Sequence, residues 1–290
     1  MSLTMSQTSG PTDPPLRDDL TVGGLLREVA AAVPDRVALI AGTPDRDNRR
    51  EWTYAELLAD AERAARALRA HFEVGERVAI WAPNVPEWMI LEFGCAMAGM
   101  ILVTVNPAFQ ARELQYVLTQ SRSAGLILLP EFRGNPMLAT ATEVQPECPE
   151  LREVIRLDEW EAFLADGDAW EGELVDPDPM DACMIQYTSG TTGNPKGAVL
   201  TNANLFSLRL PAEAAAQPWS SWDEDEAILI CMPCAHIGGT GLGIMAIAAG
   251  IRAIVQAEFT PDGVLDAFEQ GITRLFIVPA ALQMVVQHPR

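Results

Sequence analysis

The sequence is poor in basic side chains. Its 290 residues contain 20 lysines and arginines against 40 aspartates and glutamates, which gives a formal net charge of −20 at pH 7. A surface with this charge repels nucleic acid and anionic membranes, and no stripe rich in lysine or arginine offsets it. We therefore expect neither of them as a partner. A polyanion such as ATP could bind only where local hydrogen-bond donors, a lysine and a metal ion reverse the field.

The chain also lacks paired cysteines and recognisable targeting segments. It has five cysteines, an odd number, and most of them lie in apolar runs. Residues 231–236 combine two cysteines with a histidine, but haem attachment requires a different spacing, and no second cysteine pair completes a zinc site. Residues 1–19 are polar and proline-rich, without the apolar core of a signal peptide. We expect a disordered leader on a reduced, cytoplasmic protein.

No hydrophobic run has the character of a membrane span. Residues 88–105 are apolar but include Glu92, and residues 236–251 are glycine-rich and shorter than the roughly 20 residues that a bilayer requires. Both stretches are typical of elements buried in a globular core. We expect no transmembrane segment.

Strand-like and helix-like patterns alternate along the chain, which predicts an α/β fold. We expect two α/β subdomains with mostly parallel sheets and flanking helices, at 20–165 and 182–290. The acidic, proline-rich residues 166–181 read as a linker between them. Thr53 and Glu56 have the spacing of a helix capping box. The predicted strands are 37–41, 77–81, 101–105, 125–129, 182–187, 227–232, 252–256 and 274–278, and the main predicted helices are 53–72, 86–98, 111–121, 202–216 and 261–270. The chain also stops inside a helix predicted to begin near Pro279, which is typical of a fragment.

The most informative segment is a glycine- and hydroxyl-rich loop between two apolar strands, YTSGTTGNPKG at 187–197. Glycines allow successive backbone N–H groups to point inward and form an anion-binding nest. Hydroxyl groups add donors, and Lys196 adds a positive charge for phosphate oxygens. These features together favour a polyphosphate ligand.

Other phosphate loops do not fit this pattern. A Walker A loop counted from Gly190 requires glycine where Pro195 stands, and serine or threonine where Gly197 stands. A dinucleotide fingerprint is excluded by the glycine spacing and by the strand predicted after the loop. From composition alone, a mobile surface loop with an incidental lysine remains an alternative.

The loop resembles the signature loop of the adenylate-forming superfamily, which includes acyl-CoA synthetases, firefly-type luciferases and peptide-synthetase adenylation domains. The resemblance extends to RVAIWAPNVPE (77–87), AGMILVTVNP (98–107), RELQYVL (112–118), MPCAHIGG (232–239) and FIVP (276–279). It covers the chain from about Leu20 to its end. It implies the α/β large domain of this superfamily.

The resemblance also implies a reaction and a set of site residues. A carboxylate and ATP form an acyl-adenylate and pyrophosphate, and a thiol, usually CoA, then takes the acyl group. Lys196 would be the catalytic cation, Thr191 a ligand of Mg²⁺, and the phosphates would be held by Thr188, Ser189, Gly190, Thr191, Thr192, Gly193 and Lys196. The motifs that the superfamily uses for adenine, ribose and the hinge are missing before Arg290, so we expect the chain by itself to be inactive.

The resemblance places His236, Gly238 and Gly239 in the acyl-binding cleft. A histidine that caps the next helix, and glycines that serve helix packing, are the alternative explanations. No Asp or Glu occurs from residue 232 to 243, which argues against an amino-acid substrate. We expect a small-molecule carboxylic acid, a fatty acid first and an aryl acid second.

Two other functions remain open from the sequence. One is a non-catalytic nucleotide-binding module, and the other is an adenylating enzyme that loads a carrier protein instead of CoA. A homodimer is also compatible with the sequence.

Overall fold

A computed structural model describes residues 19–42, 49–175, 177–188, 194–207, 212, 215, 217, 220 and 222–290. The predicted leader lies outside these residues except for Asp19. Strands and helices alternate throughout the described ranges. The α/β class, with two mostly parallel sheets and flanking helices, is confirmed.

The larger sheet has six strands in the order β6-β5-β3-β4-β7-β8. All neighbouring pairs are parallel except the last, in which β7 and β8 form an antiparallel hairpin. The strands are β3 Arg77–Trp81, β4 Ile101–Val105, β5 Ser123–Leu128, β6 Glu153–Arg156, β7 Ala182–Thr188 and β8 Lys196–Thr201.

The smaller sheet has five strands in the order β11-β9-β10-β1-β2. Here too one edge pair, β1 with β2, is antiparallel and the remaining pairs are parallel. The strands are β1 Val37–Ala41, β2 Glu51–Thr53, β9 Ala227–Ile230, β10 Arg252–Val255 and β11 Arg274–Leu275.

Capping residues and a proline mark the first turns of two long helices. Thr53 and Glu56 form the predicted capping box at the start of α2, and Pro86 occupies the first position of α3. The helices are α1 Val22–Ala32, α2 Tyr54–His71, α3 Pro86–Met97, α4 Ala111–Ser121, α5 Met137–Val144, α6 Trp160–Asp166, α7 Asn202–Phe206, α8 Ile237–Ala248, α9 Pro261–Glu269 and α10 Pro279–Val286.

Helix α3 lies at the centre of the core. Every residue from Trp88 to Met97 is buried, and the helix is apolar on all sides, as expected for an element enclosed by protein. Helices α1, α2 and α8 pack against it, and one hydrophobic cluster joins these helices to side chains of both sheets. In the part of the chain that the structure describes, no helix is long and apolar enough to span a membrane.

The two sheets exchange strands across residues 166–181. Strands β1 and β2 precede this segment but pair with β10, whereas β7 and β8 follow it and join the larger sheet. Residues Gly167–Ala169 form a 3-10 turn that packs against α2. The division between the sheets therefore does not coincide with the boundaries inferred at 165 and 182, and the domain boundaries themselves stay a prediction.

Near the chain terminus the sequence prediction was partly wrong. Strand β11 ends at Leu275 rather than at Val278, and α10 ends at Val286. The backbone N–H of Gln287 donates to Gln283, which closes the last turn. The chain therefore does not stop inside a helix. Of the helix predicted at 202–216, the structure describes α7 and isolated residues beyond it.

Candidate active site

A cavity of about 500 Å³ lies at the carboxyl ends of four parallel strands. Its walls come mainly from the residues that directly follow β3 and β4 in the larger sheet and β9 and β10 in the smaller one. Ligands of α/β proteins bind outside the carboxyl ends of parallel strands. This cavity is therefore a candidate ligand site.

Asn84 joins the two sheets at this cavity. Its side-chain Nδ2 donates to the carbonyl oxygens of Met232 at 2.9 Å and Gln256 at 3.1 Å, and its Oδ1 accepts from the backbone N–H of Cys234 at 2.7 Å. Buried Thr104 of β4 donates from Oγ1 to the carbonyl of Ala235 at 3.0 Å. The segment 232–235 is thus fixed by hydrogen bonds from the larger sheet just before His236.

His236 is the N-cap residue of α8, and its side chain is exposed. Its carbonyl accepts from the N–H groups of Gly239 and Thr240, whereas its imidazole makes no capping hydrogen bond. The Nε2 atom instead lies 3.5 Å from Nδ2 of Asn106, the residue that follows β4. The ring is therefore turned toward the carboxyl edge of the larger sheet, away from the helix that follows.

Gly238 and Gly239 occupy different environments. A Cβ on Gly239 would lie 2.5 Å from the carbonyl carbon of Pro233 and 2.6 Å from the nitrogen of Cys234, so helix α8 approaches that backbone closely. A Cβ on Gly238 would meet only the ring of Phe276, at 3.3 Å, and Phe276 is half-exposed. The packing explanation accounts for Gly239, and Gly238 is the one that faces open space.

The predicted phosphate loop connects β7 to β8. Thr188 and Lys196 are paired across this hairpin, with Thr188 Oγ1 3.5 Å from the carbonyl oxygen of Lys196. Residues Ser189, Gly190, Thr191, Thr192 and Gly193 lie outside the described residues. The prediction that a strand, not a helix, follows the loop is confirmed.

Lys196 is the only lysine of the chain. It is exposed and makes no ion pair with any residue that the structure describes. Strand β7 runs parallel to β4 with Gln186 opposite Thr104, so Thr188 at the end of β7 and Asn106 just after β4 belong to the same carboxyl edge of the larger sheet. The loop therefore leaves the sheet at the edge where Asn106 meets His236.

The thiols near the site are buried and neutral. All five cysteines are free and buried, and burial raises the pKa of Cys231 to about 11 and that of Cys183 to about 12. Within the described ranges, no cluster of three His, Cys, Asp or Glu side chains could hold a metal ion. The predicted Mg²⁺ ligand, Thr191, lies outside these ranges, so the Mg²⁺ site stays a prediction.

The sequence prediction missed three polar residues whose side chains contact the segment that ends at His236. Asn84, Thr104 and Asn106 are polar residues inside or next to apolar strands, and that isolation is the signal that could have identified them. Their partners lie more than a hundred residues further along the chain, so local patterns do not reveal the contacts.

Comparison with known proteins fits this arrangement. A profile of the family described as AMP-binding enzyme matches residues 26–290. The chain belongs to this family. The membership confirms what the loop sequence indicated.

Individual relatives share the same region. YngI of Bacillus subtilis, which bears an acyl-CoA synthetase name, is 33% identical over 93% of this chain and 53% of its own length. The fatty acid–[acyl-carrier-protein] ligase ScoC of Streptomyces coeruleorubidus is 32% identical over 83% of this chain and 46% of its own length. The chain thus spans about half the length of these curated relatives.

A solved structure shows the same fold. The long-chain-fatty-acid-CoA ligase FadD1 of Archaeoglobus fulgidus superposes with a TM-score of 0.80, covering 92% of this chain and 53% of that protein. At 22% sequence identity this likeness concerns the fold alone.

Proposed function

We propose that the enzyme containing this chain activates a carboxylic acid with ATP and passes the acyl group to a thiol. The observation that carries the proposal is the position of the loop with the chain's only lysine. It leaves the larger sheet at the carboxyl edge where His236 and the cavity also lie. A polyphosphate site and an organic-substrate site are then neighbours, as the transfer of an adenylyl group requires.

In the proposed first step, a carboxylate oxygen attacks the α-phosphorus of ATP. A bond forms between this oxygen and phosphorus, the bond from phosphorus to the bridging oxygen breaks, and pyrophosphate leaves with the electron pair. Such reactions depend on positioning and charge neutralisation rather than on covalent chemistry by the protein. Lys196 and the residues from Thr188 to Gly193 hold the β- and γ-phosphates of the MgATP substrate. The charge of Lys196 stabilises the departing pyrophosphate.

In the proposed second step, a thiolate attacks the acyl carbon of the adenylate, and AMP leaves with the oxygen that came from the acid. His236 and Gly238 border the space for the acid in this proposal; His236 lies beside Asn106 and directly follows residues 232–235, which line the cavity. Residues 232–243 offer the substrate no carboxylate, so an ammonium group on the acid would have no partner in this segment. A fatty acid is the preferred substrate in this proposal, an aryl acid is second, and CoA is the preferred acceptor.

A carrier protein is the alternative acceptor, because one relative is named for loading an acyl-carrier protein. Both acceptors present a thiol to the same adenylate. Incubation of the adenylate-loaded enzyme with CoA and, separately, with a phosphopantetheinylated carrier protein distinguishes them by the thioester that forms.

The proposal is tested by exchange of labelled pyrophosphate into ATP, because exchange requires reversible formation of the adenylate. We expect exchange that depends on a carboxylic acid and needs no thiol. Lys196→Ala removes one charge-assisted phosphate contact, worth roughly 1.5–3 kcal/mol, and lowers kcat/KM for MgATP about 10- to 150-fold. Arg66→Ala on helix α2 is the matched control, since it removes one positive charge at a distance from the loop.

Two results would contradict the proposal. Nucleotide binding without acid-dependent exchange would favour the non-catalytic module. Equal exchange by the Lys196 and Arg66 variants would remove Lys196 from the phosphate site.

A further inference from the structure

A carboxylic acid lies in the core behind the proposed acid-binding end of the site. Glu92 is the only carboxylate among the ten buried residues of α3, and 3% of its surface is exposed. One of its oxygens, Oε1, is hydrogen-bonded to Oγ1 of Thr240 in α8, and Thr240 is fully buried. The other oxygen, Oε2, is shielded from solvent and has no hydrogen-bond partner among the described residues.

Among the residues that the structure describes, no positively charged side chain compensates a negative charge on Glu92. The groups that act electrostatically on one another here are Glu92 and the buried thiols of Cys95 on α3, Cys183 on β7 and Cys234 before α8. Burial raises the pKa of all three thiols, so they stay neutral. Burial also raises the pKa of Glu92 to about 8, and the Thr240 hydroxyl opposes that shift in part. Glu92 is accordingly protonated at neutral pH.

Thr240 belongs to the first turn of α8. Its backbone N–H donates to the carbonyl of His236 at 3.2 Å. The chain before His236 is fixed through Asn84 and Thr104, and the chain after it is fixed through the bond from Thr240 to Glu92. His236 and Gly238 therefore lie between two anchored points, although their own surroundings are open.

We propose that Glu92 and Thr240 are a positioning pair, which fixes the first turn of α8 and thereby the location of His236 and Gly238 against the acid substrate. This inference rests on the proposed function. The pair touches neither substrate, so its loss changes recognition of the acid and leaves recognition of MgATP unchanged. Since the carbonyl oxygens of a protonated carboxyl and of an amide both accept a hydrogen bond from the Thr240 hydroxyl, glutamine replaces Glu92 in this role at pH 7.

The test uses isosteric variants in the complete enzyme. Thr240→Val keeps the shape of the side chain but removes the hydroxyl, and Thr240→Ser keeps the hydroxyl. We expect Thr240→Val to raise KM for the acid about tenfold with KM for MgATP within twofold of wild type, and Thr240→Ser and Glu92→Gln to retain wild-type KM values at pH 7.

A second readout does not depend on catalysis. This chain contributes three histidines, and in the complete enzyme the imidazole C–H signals of His71, His236 and His288 are assigned by NMR by replacing each of them in turn. Thr240→Val should shift the His236 signal and leave the other two unchanged. This measurement retains its meaning if wild type shows no acid-dependent exchange, in which case the proposed function fails but the positioning of His236 by the pair is still tested.

A purely structural pair gives a different pattern. Lower thermal stability of Thr240→Val, with an unchanged His236 signal and unchanged KM for the acid, would overturn the inference. Equal increases in KM for the acid and for MgATP would also overturn it, because the pair would then not act on the acid end of the site.

Discussion

Two adjacent glycines at the start of α8 should respond very differently to the same substitution. In Gly239→Ala the new methyl would lie 2.5 Å from the carbonyl carbon of Pro233. Pro233 cannot easily move, because Asn84 holds the residues on both sides of it, Met232 through the carbonyl and Cys234 through the N–H. Overpacking of this kind costs about 1–3 kcal/mol.

Gly238→Ala is the matched control. Its methyl would meet the Phe276 ring at 3.3 Å, and this half-exposed side chain can rotate away. Replacement of glycine by alanine within a helix contributes up to about 1 kcal/mol of stability, a gain that both variants share. We therefore expect Gly239→Ala to be less stable than Gly238→Ala by about 2 kcal/mol.

Urea unfolding followed by circular dichroism measures this difference. The midpoint of Gly239→Ala should fall while that of Gly238→Ala stays at or slightly above wild type, with the same dependence on urea in all three proteins. Equal stability of the two variants would show that α8 does not approach residues 233–234 as closely as described. A large loss in Gly238→Ala would show that this glycine, too, is a packing position.

Two further predictions concern buried polar groups. Glu92→Gln should gain stability relative to wild type as the pH rises from 4.5 to about 8, because Glu92 loses its proton in the unfolded wild type in this window and keeps it in the folded protein. The difference in unfolding free energy should change by at most about 1.4 kcal/mol per pH unit, and a difference that does not depend on pH would refute the prediction. Asn202→Ala leaves the buried N–H of Val22 without its acceptor, Asn202 Oδ1 at 3.0 Å. The free energy of unfolding should fall by about 1–3 kcal/mol, and KM for the acid and for MgATP should not change. Calorimetry and steady-state kinetics check the two parts, and unchanged stability would contradict the contact.

The sequence predicted those features that depend on neighbouring residues. Thr53 and Glu56 predict the start of α2, because both partners of the capping box lie within one helical turn. Residues 111–121 were predicted as the helix that α4 forms. A strand was predicted at 182–187 with the loop beginning at Thr188, and β7 extends one residue further, to Thr188.

Features that depend on distant residues were not predictable in the same way. Strand β1 pairs with β10, so Leu39 lies beside Ala253, and no local pattern records that choice. For this reason the exchange of strands between the sheets was missed. Gly238 and Gly239 look equivalent in sequence and differ only in what their Cα atoms face. Glu92 served in the sequence only as evidence against a membrane span, whereas the fold gives it a partner on α8.

Isotope transfer tests most directly whether the acid is activated through an adenylate. The complete enzyme is supplied with an acid labelled with ¹⁸O in its carboxylate, together with MgATP and CoA, and the products are examined by mass spectrometry. Because the acid oxygen attacks the α-phosphorus and the later bond cleavage is between acyl carbon and oxygen, AMP should carry one ¹⁸O atom. Label in inorganic phosphate with ADP as the nucleotide product, or unlabelled AMP beside the acyl thioester, would contradict the account.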